Sequence, residues 1–221
     1  MKRVIAFLII FACVGAALSA QSMSAGGGLV LDMGFNNGME FKDRELDPLI
    51  MDVTSVFETT SFGIYGFLDI GYVVFDASLT FGTMKMVTEV SALGMSGSGS
   101  MDFGDIVSFN IGVMGKYPID LGSFTLFPLI GINYNMVLSL DGETEDVTEY
   151  FSQFGILAGV GADFPINDTM FFRAEGLFQL RFPMKFWEEM VDASKLDPDI
   201  TNASTTIGLG FQLRVAIGFR L

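Results

Sequence analysis

Residues 207–221 read Ile-Gly-Leu-Gly-Phe-Gln-Leu-Arg-Val-Ala-Ile-Gly-Phe-Arg-Leu. Every odd position is large and apolar: Ile207, Leu209, Phe211, Leu213, Val215, Ile217, Phe219 and Leu221. Every even position is small or polar: Gly208, Gly210, Gln212, Arg214, Ala216, Gly218 and Arg220. A period of two puts the two sets on opposite faces of one strand. So long an apolar face invites aggregation in water. It is stable if it meets lipid while the small, charged face lines a closed barrel.

Seven more segments alternate in the same way, giving expected strands at 28–37, 60–69, 72–84, 106–118, 123–140, 152–165, 169–182 and 206–221. In 152–165, Phe154, Ile156, Val160 and Phe164 share one face, opposite Gln153, Leu157, Gly161 and Asp163. Each strand is long enough for a tilted crossing of about 9–11 residues. Short turns at 69–71, 119–122 and 166–168 alternate with long segments at 38–59, 85–105, 141–151 and 183–205. Aromatics cluster toward both strand ends on the outward face: Phe75, Tyr117, Phe164, Phe172 and Phe219 at the short-turn end, Phe35, Phe62, Phe81, Tyr134 and Phe154 at the other. Two aromatic girdles around an aliphatic band suit a membrane crossing. The expected fold is therefore all-β, an eight-stranded antiparallel up-and-down transmembrane β-barrel. A soluble β-sandwich is the competing reading, but it leaves the loop asymmetry unexplained. Pro128 breaks the pattern inside a strand, where it cannot donate to the ladder.

Composition agrees. Half of the 221 residues are hydrophobic and the mean hydropathy is +0.49, yet after residue 20 no apolar run reaches the length of a membrane helix. Lys2 and Arg3, the apolar run Val4–Phe11 and the small residues Ala17–Ala20 read as a signal peptide over 1–20, cleaved near Ser19/Ala20. The barrel domain then spans 21–221. Processing at Ala12-Cys13 as a lipoprotein is the alternative. The net charge of −14 argues against a nucleic-acid partner, because phosphate contacts need basic surface. There is no histidine, and the one cysteine is Cys13. Imidazole bases, His-ligated metals and disulfides are thereby removed. No cofactor, metal or catalytic residue is expected, and the chain is not expected to be an enzyme.

The segments Gly66-Phe67-Leu68-Asp69 with Tyr72, Lys116-Tyr117-Pro118-Ile119 through Phe127-Pro128-Leu129-Ile130-Gly131, and Val215-Ala216-Ile217-Gly218-Phe219-Arg220-Leu221 resemble the small outer-membrane β-barrel proteins of the OmpA/OmpX/OmpW type. The resemblance covers nearly all of the chain after residue 20. It implies placement in the outer membrane of a diderm bacterium, with loops extracellular and termini periplasmic. It also implies outer-membrane lipid as a partner and a terminal strand read by the barrel-assembly machinery. That signal usually closes on an aromatic residue, whereas here Leu221 is last.

Parity turns charges of both signs inward: Asp32, Asp76, Asp163 and Glu175 against Lys116, Arg173, Arg181, Arg214 and Arg220. They are expected to form a charge network across a narrow lumen. Tyr65, Phe67, Met114, Phe127, Leu129, Leu157 and Leu177 also point inward, and Phe186 and Trp187 lie on an expected amphipathic helix in the 183–205 loop. Together they make a candidate hydrophobic lumen and mouth. Residues 95–100 read as a flexible small-residue stretch. The function expected is a small porin-like or hydrophobic-solute-binding barrel. The alternative is a closed barrel that stabilises the membrane or makes surface contacts through its loops.

Overall fold

The computed structural model describes residues 23–46, 49–92, 95–141, 147–195 and 202–221. The expected signal peptide, Cys13 and the acidic run Glu143–Asp146 lie outside the described residues. The strands are β1 (Met23–Leu46), β2 (Leu49–Ile70), β3 (Val73–Ala92), β4 (Met95–Lys116), β5 (Ile119–Asp120), β6 (Thr125–Leu140), β7 (Gln153–Pro165), β8 (Met170–Arg181), β9 (Asn202–Thr206) and β10 (Gly208–Arg220). Two helices, α1 (Val147–Phe151) and α2 (Lys185–Ser194), follow β6 and β8.

The strands form one antiparallel sheet in the order β10-β8-β7-β6-β4-β3-β2-β1-β9, and β10 also pairs with β1. That last pairing runs from Ser24↔Arg220 to Phe35↔Leu209 and closes the sheet on itself. Closure removes both edges of the long alternating strand that opened the sequence reading.

The count differs from the expected eight, because the sheet has ten strands among the described residues. The two additions are short continuations. β5 resumes pairing with β6 after an interruption at Tyr117-Pro118. Pro128 sits opposite that interruption, where its missing N–H costs the ladder least. Pro128 faces outward and stays in register with Val160, without a bulge. β9 continues the line of β10 along β1, pairing Gly38↔Thr206 to Lys42↔Asn202.

A second difference is larger. The segments 38–59 and 85–105, expected to be loops, are mostly strand. β1 and β2 stay paired as far as Leu46↔Leu49, and β3 and β4 as far as Ala92↔Met95. The stretch at 95–100, expected to be flexible, is the start of β4. Ser and Gly carry weak strand preference, but each pairing with β3 satisfies backbone groups that composition does not report.

The wall is therefore uneven: β1 to β4 have 24, 22, 20 and 22 residues, and β7, β8 and β10 have 13, 12 and 13. Its outer face is apolar up to Phe62 and Phe81, then turns polar at Thr60, Glu58, Thr83, Lys85 and Glu89. Leu29, Ile64, Ile130, Val160, Phe178 and Leu213 are among the large apolar side chains exposed in the band below.

Candidate functional site: a filled lumen with a capped mouth

The interior is built in layers. Nearest the short turns, Arg173 on β8 faces Asp163 on β7, which directly opposes it in register. Its Nε and Nη2 donate to the two Asp163 oxygens, both at 2.7 Å, and Nη2 also reaches Asp69 at 2.6 Å. Lys116 donates to the same Asp69 carboxylate. A forked guanidinium on a carboxylate fixes geometry as well as charge. The rings of Phe67, Phe127 and Phe171 stand 4.2, 5.0 and 5.3 Å from the Arg173 guanidinium carbon. Gly161 makes room for this packing, since a Cβ there would lie 2.2 Å from the Phe127 ring.

In the middle layer, Arg214 donates to Asp76 at 3.0 Å and to Gln212 at 2.8 Å. Glu175 lies between two cations, 3.8 Å from Arg173 and 3.7 Å from Arg214. Above it, Arg181 donates to Asp32, to Gln179 at 3.0 Å and to Thr59 at 3.2 Å. A chain of amides continues from Gln179 to Asn133 at 2.9 Å and from Asn133 to Asn110 at 3.0 Å. Gly34 leaves the space that the Arg181 guanidinium fills.

Next comes a cavity of about 20 Å³ lined by Asp32, Thr59, Ser61, Asn135, Gln153 and Arg181, space on the order of a single water. The mouth above it is closed by apolar packing. Trp187 and Val191 of α2 are buried with Met39, Phe57, Met84, Ile106, Val137, Leu140, Phe151 and Met184. Phe57 is the hub, with ring centroids of Trp187, Phe103 and Phe186 at 4.7, 5.1 and 5.6 Å. Lys185 ties α2 to Glu149 of α1, and that hydrogen bond holds the exposed ammonium above the ordinary lysine range.

Asp32, Asp76, Lys116, Asp163, Arg173, Glu175, Arg181 and Arg214 all join these layers. Arg220 does not: it is exposed at the short-turn rim and donates to the Asp168 carbonyl. The strand has left the lumen by that residue, so parity no longer implies enclosure. Tyr65, Phe67, Met114, Phe127, Leu129, Leu157 and Leu177 are buried together with Phe171. Phe186 and Trp187 join the cap, not the lumen cluster.

Sequence reasoning missed Asp69, read as a turn residue although it shares the parity of Tyr65 and Phe67. It also missed most of the cap. Met39, Phe57 and Met84 fell in, or at the edge of, segments read as loops. Continuing the alternation through Ser55, Phe57, Thr59 and Ser61 would have found Phe57.

A closed antiparallel wall, apolar outside and salt-bridged inside, is a β-barrel of the outer-membrane type. No protein family and no curated protein matches this chain. Among solved structures it is similar to the neisserial surface protein A, at 10% identity and a TM-score of 0.47, over 90% of this chain and 97% of that one. The translocator domain of the autotransporter NalP from Neisseria meningitidis matches at 11% identity and a TM-score of 0.31, over 100% and 98% of the two chains. The outer-membrane protease OmpT from Escherichia coli matches at 9% and 0.31, over 90% and 97%. The expectation that the chain is not an enzyme is corrected on this point. A fold does not fix a function, and the barrel architecture leaves catalysis open.

Proposed function

We propose that this chain is an integral outer-membrane protein with a closed lumen, acting through the parts of its wall that stand beyond the membrane. The eight long strands form the transmembrane circuit. The short turns and both termini are periplasmic, the long hairpins and α2 extracellular, and residues 1–20 serve as the export signal. The carrying observation is that Arg173 and Arg214, in successive layers of the lumen, are 0% and 1% exposed, each held by carboxylates from other strands. Moving solute past them would mean separating buried ion pairs, each costing several kcal/mol. This favours the closed-barrel reading over a porin-like one.

One observation keeps the second reading, a site for small hydrophobic solutes. The cap gathers Phe57, Phe103, Phe151, Phe186 and Trp187 into one aromatic cluster under α2. Planar-bilayer recording separates the readings. A closed barrel gives no stable conductance step, and sustained channels would overturn it. Saturable binding of a hydrophobic solute by the detergent-solubilised protein would select the second reading.

A further inference from the structure

β1 to β4 rise together above the rest of the wall, with β2 paired to β3 as far as Met51↔Ala92, and β4 is the outer strand of that taller part. β4 pairs with β6 from Ile106 to Lys116, but with β3 from Met95 onward. Among the described residues, the stretch Met95–Met101 therefore has one ladder edge on β3 and the other open, and each of its residues is exposed. Open edges present unpaired N–H and C=O groups and are usually blunted by charge, proline or a bulge. Residues 95–101 carry no charged residue and no proline. The register shift near Asp102 begins only below them.

The stretch also has an internal symmetry. It reads Met95-Ser96-Gly97-Ser98-Gly99-Ser100-Met101, identical in both directions about Ser98. We infer that this open edge pairs antiparallel with the same edge of a second copy of the chain, about a two-fold axis through Ser98. In that register Met95 faces the second copy's Met101, serine faces serine, glycine faces glycine, and Ser98 faces itself. Such a self-complementary contact is what a two-fold interface requires.

Register places Met95, Gly97, Gly99 and Met101 on one face of the sheet, with Val90 and Met86 on β3. Met95 and Met101 are 72% and 58% exposed. The pairing sets one methionine pair at each end of the ladder, about 20 Å apart, with two glycine pairs between them. Glu89, opposite Ser98 on β3, is the nearest described charge. The two copies of Glu89 would stand three strand spacings apart, about 14 Å, beyond the screening length of about 8 Å.

An antiparallel edge pair about this axis inverts one barrel relative to the other. The two copies therefore meet tip to tip, from facing membranes. This step rests on the membrane reading proposed above. A seven-residue edge buries far less than the roughly 1,000 Å² of a stable interface. A single contact is weak, and many copies on two surfaces act together.

The test uses the protein reconstituted into phosphatidylcholine vesicles, with clustering read by light scattering. Wild-type vesicles should cluster, while the protein in detergent stays monomeric. Ser98→Lys vesicles should stay dispersed, and so should Ser98→Glu vesicles, because like charges meet at the axis. Mixing these two populations should restore clustering. Vesicles that carry the barrel yet stay dispersed overturn the self-pairing, the result an edge reserved for some other extended segment would give. Clustering of wild type without rescue in the mixture overturns the Ser98 register. Protein that fails to float with the vesicles overturns the membrane reading instead.

Discussion

Arg214 sits 1% exposed on β10 between Asp76, Gln212 and Glu175. Removing it leaves Asp76 buried without its cation and Glu175 with Arg173 alone. Arg214→Leu should therefore lower stability by about 3–5 kcal/mol, read as a lower temperature of the heat-modifiable gel shift. A variant as heat-resistant as wild type would show that the Arg214 layer does not hold the wall together. Gly161→Val tests packing at the same scale. Its Cβ would lie 2.2 Å from Phe127, and overpacking typically costs about 1–3 kcal/mol. Parity in the sequence made Arg173, Arg181, Arg214 and all of their carboxylates but Asp69 legible as one inward set. It did not say which acid each arginine takes. Arg181–Asp32 and Arg214–Asp76 join strands across the lumen, a matter of barrel diameter and stagger.

At the scale of elements, α2 and its place at the mouth were legible, and the surface it packs on was not. Phe186 and Trp187 lie on the expected amphipathic helix, but the surface it covers is assembled from β1, β2, β3, β4 and β6. Trp187 is the only tryptophan in the chain, so its fluorescence reports the cap directly. The Lys185–Glu149 tie gives that signal a pH dependence. The folded ammonium titrates above its unfolded value. Its contribution is thus fully present below the ordinary lysine pKa of about 10.4 and is lost as pH rises through the higher folded value. A red shift of Trp187 emission is expected in that alkaline window, and Lys185→Met should remove the step. Trp187→Ala should increase binding of an apolar dye at the mouth without producing conductance, because the Arg173 and Arg214 layers remain below it. Conductance in that variant would assign the seal to the cap.

For the whole molecule, the proposed orientation predicts which side each cysteine substitution reports. Gly97→Cys, at an open position, should react with an impermeant reagent on intact cells, and Asn167→Cys, in a short turn, should not. The reverse pattern would invert the barrel. Sequence alone determined the strand alternation, the lipid-facing and lumen-facing sets within the band and the short turns, because a strand's side-chain period is fixed by its own backbone. It determined strand ends poorly wherever the outer face turned polar, as at Glu58 and Lys85, since alternation then loses contrast while the ladder continues. Only the tertiary structure decided that β10 closes on β1, that Asp69 joins the Arg173 layer, that α2 seals the mouth and that, among the described residues, β4 is left with an open edge at Met95–Met101. Each depends on which segments lie side by side around a closed wall, and a local period carries no information about a neighbour 180 residues away, such as Gln212 beside Asp32.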